Sequence, residues 1–159
     1  VTNEPFDPWR AADETEDLLI SFHPVARLMG GGFYARTRGL GLIVLDPDLP
    51  EAERRAVLTH ELVHHERRHG LPASTSPAPD AVVRSILRWE EREADQAVAH
   101  RLVPPPLLHA FITSRSADGP GVGPAEVAEQ FEVPASVAQV ALDGLRQAGW
   151  PGQRRARGT

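Results

Sequence analysis

Between residues 17 and 46 the apolar positions come in short runs broken by glycine and proline: DLLISFHPV, GGFYART and GLGLIVLD. Runs of this length, with turn signals at GGG (30–32) and RG (38–39), predict a small antiparallel sheet of about three strands. From DPDLPEAERR onward the apolar spacing becomes helical. Asp48 with Glu51 three residues later resembles a capping box, and Pro50 suits a first turn. The helix can run to His69, where Gly70 and Leu71-Pro72 signal its end. A Pro/Ser-rich loop at 71–79 separates it from a second long helix, Asp80 to Val103, which stops at Pro104-Pro105-Pro106. Leu107–Thr113 reads as a short helix and SADGPGVG as a link. A pair of short helices then flanks EVP, and the tail is PGQRRARGT. This divides the chain into a flexible lead-in at 1–16, a main α+β domain at 17–113, a helical extension at 114–150 and a disordered basic tail at 151–159.

Composition narrows the classes. There is no cysteine, which excludes disulfides, iron–sulfur clusters and thiolate zinc sites. Every basic residue is arginine and the net charge is −5, which disfavours a broad polyanion-binding face. The start of the chain is polar and acidic, unlike a secretory signal, and the longest apolar run, LIVL, is too short to span a bilayer. A soluble cytoplasmic protein with no membrane partner is the expectation.

The chemistry concentrates in THELVHHERRHG, residues 59–70, which holds His60, His64, His65 and His69. His60-Glu61-Leu62-Val63-His64 fits H-E-x-x-H. Residues four apart on a helix lie about 40° from one another on adjacent turns, so two imidazoles can converge on one zinc ion. Glu61, offset by about 100°, can reach the ion's open coordination position from the side. The alternative is a solvated, histidine-rich helix end. That suits His65 and His69, whose helical phase turns them away from His60, but not His60 itself. The helix is apolar on two sides, through Ala52, Ala56 and Val63 and through Leu58 and Leu62, so it is sandwiched and its histidine stripe lines a cleft or a seam.

A longer pattern, H-E-x-x-H-x-x-G-x-x-H, fails here, because Arg67 and Gly70 stand at its last two positions. The third ligand must come from elsewhere. RWEEREADQAVAHRLVP offers Glu90, Glu91 and Glu93. Glu91 shares a stripe with Leu87, Ala94, Val98 and Leu102, where a carboxylate is costly unless paired or metal-bound. Glu93 points to the other side and is less favoured, though still open, and a buried salt bridge to arginine is the competing role for Glu91. Asp95, one turn on, can accept the free ring N–H of a ligating histidine.

H-E-x-x-H on one helix and E-x-x-A-[DN] on the next resemble the gluzincin class of zinc peptidases, and the details resemble the ImmA/IrrE-type metallopeptidases of bacteria and their phages. The matching stretches are GLIVLDPDLPEAERRAVLTHELVHHERR, EREADQAVAHRLVP and AEVAEQFEVPASVAQVAL, about two-thirds of the chain. The resemblance implies one zinc ion held by His60, His64 and Glu91, with Glu61 as general base and Asp95 behind the ligands. Residues 17–113 would be a minimal zincin-like metallopeptidase domain. An edge strand ahead of the zinc helix would hold extended substrate, a helix-turn-helix repressor whose cleavage switches on phage, mobile-element or stress genes. Residues 41–46 are one choice for that strand, although their continuous apolar run equally fits a core strand. The family often has Asn where Asp95 stands, and the helical pair here is short with no sensor domain expected after it. For a second oxyanion donor, Tyr34, His65, His100 and nearby arginines are open.

A regulator that binds DNA or protein and keeps the zinc without proteolysis is the competing reading, because AEVAEQFEVPASVAQVALDGL resembles a helix-turn-helix. Glu132 occupies the usual turn glycine, and Glu126, Glu129, Glu132 and Asp143 face a lone Arg146. That charge makes nucleic acid an improbable partner. A structural zinc site has no need of Glu61.

Overall fold

The computed structural model describes residues 6–67, 80–115 and 121–149. The expected helix stop at His69-Gly70, the 71–79 loop, most of the SADGPGVG link and the basic tail lie outside the described residues. The fold is α+β, with the order α1 (Pro8–Asp13), β1 (Leu18–Phe22), a 3-10 helix (Pro24–Met29), β2 (Gly32–Thr37), β3 (Leu40–Leu45), α2 (Glu51–Arg67), α3 (Asp80–Leu102), α4 (Pro105–Arg115), α5 (Pro124–Phe131) and α6 (Ala135–Gln147). No helix among the described residues is long and apolar enough to cross a membrane.

The sheet has three strands, as expected, but it is mixed rather than antiparallel. Its order is β1-β3-β2, with β1 parallel to β3 and β2 antiparallel to it. The cause is the 3-10 helix, which spans the Leu45 end of β3 and carries the chain from the end of β1 on one side of it to the start of β2 on the other. Its Gly30 closes it in the left-handed region at φ 81°, and Arg27 Nε holds Asp46 Oδ2 at 2.8 Å. β2 and β3 form a hairpin whose turn residues Arg38 and Gly39 both have positive φ, 50° and 89°, matching a type I′ turn. β3 is therefore central and paired on both sides, so it cannot take a substrate strand. Its apolar run is that of a strand covered on both faces. Among the described residues, the edge beside α2 that pairs with no further strand belongs to β2.

Ile43 and Leu45 project from β3 onto Leu58 and Leu62 of α2, all buried, and Ala12 and Leu18 complete this cluster. A second cluster joins Ala56 of α2 to Val98, Ala99 and Leu102 of α3 and to Val127, Ala138 and Leu142 of the C-terminal pair. α2 thus lies between two cores, as its two apolar sides require. Ala94, fully buried, lets α3 approach it closely. Arg67 Nη1 bonds Glu93 Oε2 and Arg101 Nη1 bonds Glu66 Oε1, each at 2.8 Å, across the α2–α3 seam.

Two further expectations change. The expected flexible lead-in contains α1, capped by Asp7, whose carboxylate accepts from the Trp9 and Arg10 N–H groups, with Pro8 in the first turn. Asp48 does not cap α2. Its carboxylate pairs with Arg27 instead, and the Pro50 carbonyl accepts from Arg54 N–H at 2.8 Å to start the helix.

Candidate metal centre

His60, Glu61 and His64 lie in the last half of α2, where the sandwiched helix turns one narrow stripe toward a cleft of about 720 Å³. His60 Nε2 is 3.0 Å from His64 Nε2 and 3.1 Å from Glu91 Oε2, and His64 Nε2 is 3.6 Å from Glu91 Oε1. All three ligand atoms fall within 4.8 Å of one another, so the group could hold a metal ion. The donor set tests the choice of ion. Two imidazoles and a carboxylate are zinc-type ligands, and bonds of about 2 Å in a tetrahedron put neighbouring donors roughly 3.3 Å apart. The observed spacings bracket that value. His60 Nδ1 lies 3.4 Å from Asp95 Oδ1. An N–H on Nδ1, facing the carboxylate, leaves the Nε2 lone pair for the ion.

Glu91 is placed as expected, but for a different reason. The apolar stripe leaves the core at its position: Ala94, Val98 and Leu102 are buried, whereas the Glu91 side chain is 58% exposed and opens on the cleft. Glu93 is taken by Arg67 and stands apart from the group. Glu90, buried at 9%, also lines the cleft, and helical phase gave no signal for it.

Glu61 is 8% exposed. Burial pushes its carboxyl up to about 7; His60 and a hydrogen bond from the Tyr34 backbone N–H pull it down, while Glu91 adds to the rise. The N–H direction follows from the register. Asp46 N–H bonds the Gly31 carbonyl, and hydrogen-bonded pairs alternate along an antiparallel ladder. Gly32, Tyr34 and Arg36 therefore direct their main-chain groups outward from β2, and Tyr34's N–H meets Glu61 at that edge. Gly32 is there because α2 passes so close: a Cβ would sit 2.4 Å from Val57 Cγ1.

His65 is not a ligand. It is buried on the sheet side of α2, with Nδ1 3.2 Å from Tyr34 Oη and Nε2 3.1 Å from Asp17 Oδ1. It is structural, as its phase suggested, but not solvated. His100 is exposed and away from the cleft. The far wall of the cleft is the start of α6, through Pro134, Ser136, Val137 and Val140. Arg55 of α2 ties down the α5–α6 turn by bonding the Glu132 carbonyl at 3.1 Å. The face of the helical pair nearest the site is thus committed to the cleft.

A metal-competent His-His-Glu group beside a buried carboxylate and a free sheet edge defines a metallopeptidase-like site. The model of the IrrE N-terminal-like domain, a family of peptidases, matches residues 13–143, and the chain belongs to that family. Comparison with curated proteins and with solved structures returned no match.

Proposed function

We propose that the chain is a zinc-dependent endopeptidase whose substrate is a helix-turn-helix transcriptional repressor, cleaved to derepress phage, mobile-element or stress genes. The observation carrying the peptidase reading is the convergence of His60, His64 and Glu91 with Glu61 buried alongside. These three residues would hold the ion, which when bound supplies Lewis acidity to a carbonyl and lowers the pKa of water. Glu61 accepts a proton from the attacking water and returns it to the leaving amine. Burial raises the Glu61 carboxyl in the metal-free fold, and the charge of a bound cation would draw it back down, which leaves a carboxylate to accept that proton. The outward main-chain groups of Gly32 and Arg36, with the Tyr34 carbonyl, pair with an extended substrate segment, adding a strand to β2. Met29, Leu87, Val137 and Val140 add apolar side chains to the cleft lining. The repressor as substrate rests on the family resemblance alone; the cleft favours any extended segment.

The test combines metal analysis with cleavage assays on repressors and on a mixed peptide library, for wild type and Glu61→Gln. Wild type should bind one equivalent of zinc and cut, and the variant should bind zinc and not cut. Failure of wild type to bind zinc overturns the reading, as does equal behaviour of both proteins. Cutting of peptides but of no repressor overturns the substrate assignment only.

A further inference from the structure

We propose that Asp17, His65 and Tyr34 form a hydrogen-bonded relay that positions β2 against Glu61, making them positioning residues for the peptidase reaction. The inference rests on the peptidase reading and adds three residues to it. Asp17 precedes β1 and is joined to every part of the sheet. Its carbonyl accepts from Gly41 N–H at 2.7 Å, and its carboxylate lies 3.8 Å from Arg36 Nη2 of β2 and 3.1 Å from His65 Nε2.

An ionised carboxylate only accepts, so Nε2 of His65 carries a proton, and in the neutral imidazole Nδ1 then offers a lone pair. The Tyr34 hydroxyl at 3.2 Å then donates to Nδ1. Its proton is committed there, which removes Tyr34 from the oxyanion donors that the sequence left open. The rings of Tyr34 and His65 meet edge to face at 5.5 Å. The His65 side chain is only 8% exposed, and the room for its ring is made by Gly41, where a Cβ would stand 2.6 Å from Nδ1 and 3.0 Å from Cε1.

Tyr34 is thereby fixed to α2 by its side chain at His65, and its outward backbone faces the cleft that it lines together with Glu61, one turn earlier on the same helix. β2 is an edge strand, held by β3 on one side alone. Edge strands shift easily, and a misplacement of about 1 Å at a reacting group can cost on the order of a hundredfold in rate. The relay removes that freedom where Glu61 needs it least.

The test uses the zinc-loaded protein with Tyr34→Phe, Asp17→Ala and Asp17→Asn, and Gly41→Ala as a variant that displaces the His65 ring while leaving the relay residues intact. Tyr34→Phe, Asp17→Ala and Gly41→Ala should each lower kcat about tenfold with KM within about twofold and zinc content unchanged. Asp17→Asn keeps an acceptor for Nε2–H and should retain most of kcat. A second readout does not need turnover: nitrogen NMR of His65 should show the Nε2–H tautomer in wild type and a mixed population in Asp17→Ala. An Nδ1–H tautomer in wild type overturns the relay, as does an unchanged kcat in Tyr34→Phe or a loss that appears in KM or zinc content instead. If wild type cuts nothing while the tautomer is as stated, the peptidase reading fails and the relay stands as a structural tie.

Discussion

Replacing Glu61 by Gln should stabilise the metal-free protein at high pH and leave it unchanged at low pH. The Glu61 carboxyl, ordinarily near 4.5, is pushed up to about 7, chiefly by burial. Each tenfold change in proton affinity is worth about 1.4 kcal/mol, so ionising Glu61 in the fold costs about 3 kcal/mol relative to the unfolded chain. The side chain is shielded well enough for solvent screening to leave most of this in place. Because the folded value is raised, the stabilising contribution is full below the unfolded value and is lost as pH rises through the folded one. Below about pH 4 the carboxyl is protonated in both states, and above about pH 8 it is ionised in both. Gln stays neutral, keeps the shape of the side chain and still accepts from the Tyr34 N–H. The variant should therefore gain stability over wild type between about pH 4 and pH 8, reaching roughly 3 kcal/mol. Urea unfolding of both proteins in EDTA, at half-unit pH steps, reads the difference directly, and groups common to both cancel. A difference that is flat with pH, or one that favours wild type as pH rises, refutes the desolvated placement of Glu61.

Other substitutions separate neighbouring residues. Glu91→Gln should weaken zinc binding by more than about a hundredfold and Asp95→Ala by about 10–100-fold, while Glu93→Gln, which removes only the Arg67 pair, leaves it unchanged; calorimetric titration of zinc distinguishes the three. Asp46 is held below the ordinary carboxylate value by Arg27 and by the Asp48 backbone N–H. Its contribution is thus present above the unfolded value and lost as pH falls through the folded one. The stability gap between wild type and Asp46→Asn should be constant above about pH 5 and close on acidification, as followed by thermal melts down to about pH 3. Gly32→Ala drives a methyl to 2.4 Å from Val57 Cγ1 and should destabilise the fold by about 1–3 kcal/mol in a denaturant titration, because the short, branched Val57 side chain cannot swing clear without moving α2 or β2.

What the sequence made legible was local. Helical phase separates His60 and His64 from His65, and selects Glu91 over Glu93, because both questions concern one helix at a time. The long helices and their proline stops follow for the same reason. What it hid was the partner across the fold. Whether β1 runs parallel or antiparallel to β3 depends on where the 3-10 helix takes the chain, and LLISF reads the same either way. His65 points away from the metal by phase, yet its role depends on Asp17 and Tyr34, each distant in sequence. Two local patterns do bear on the fold. Asp7-Pro8 ahead of Trp9 and Ala12 is a helix start, and the unbroken LIVL run marks a central strand rather than an edge. Glu91 stands with His60 and His64, but not as a carboxylate buried in an apolar stripe: its side chain lies at the exposed end of that stripe, where the cleft opens.

The mixed sheet also divides unequally in loop-closure entropy. The β2–β3 ladder zips outward from a two-residue turn, beginning with Thr37 opposite Leu40. The β1–β3 ladder joins residues at a constant span of 23 positions, from Leu18 with Gly41 to Phe22 with Leu45, through the 3-10 helix and the whole of β2. The strand that flanks Glu61 thus owes its register to the cheap, local half of the sheet. Asp17, at the head of β1, belongs to the expensive half, so the relay makes the alignment of the cleft report on the longest-range strand pairing in the sheet.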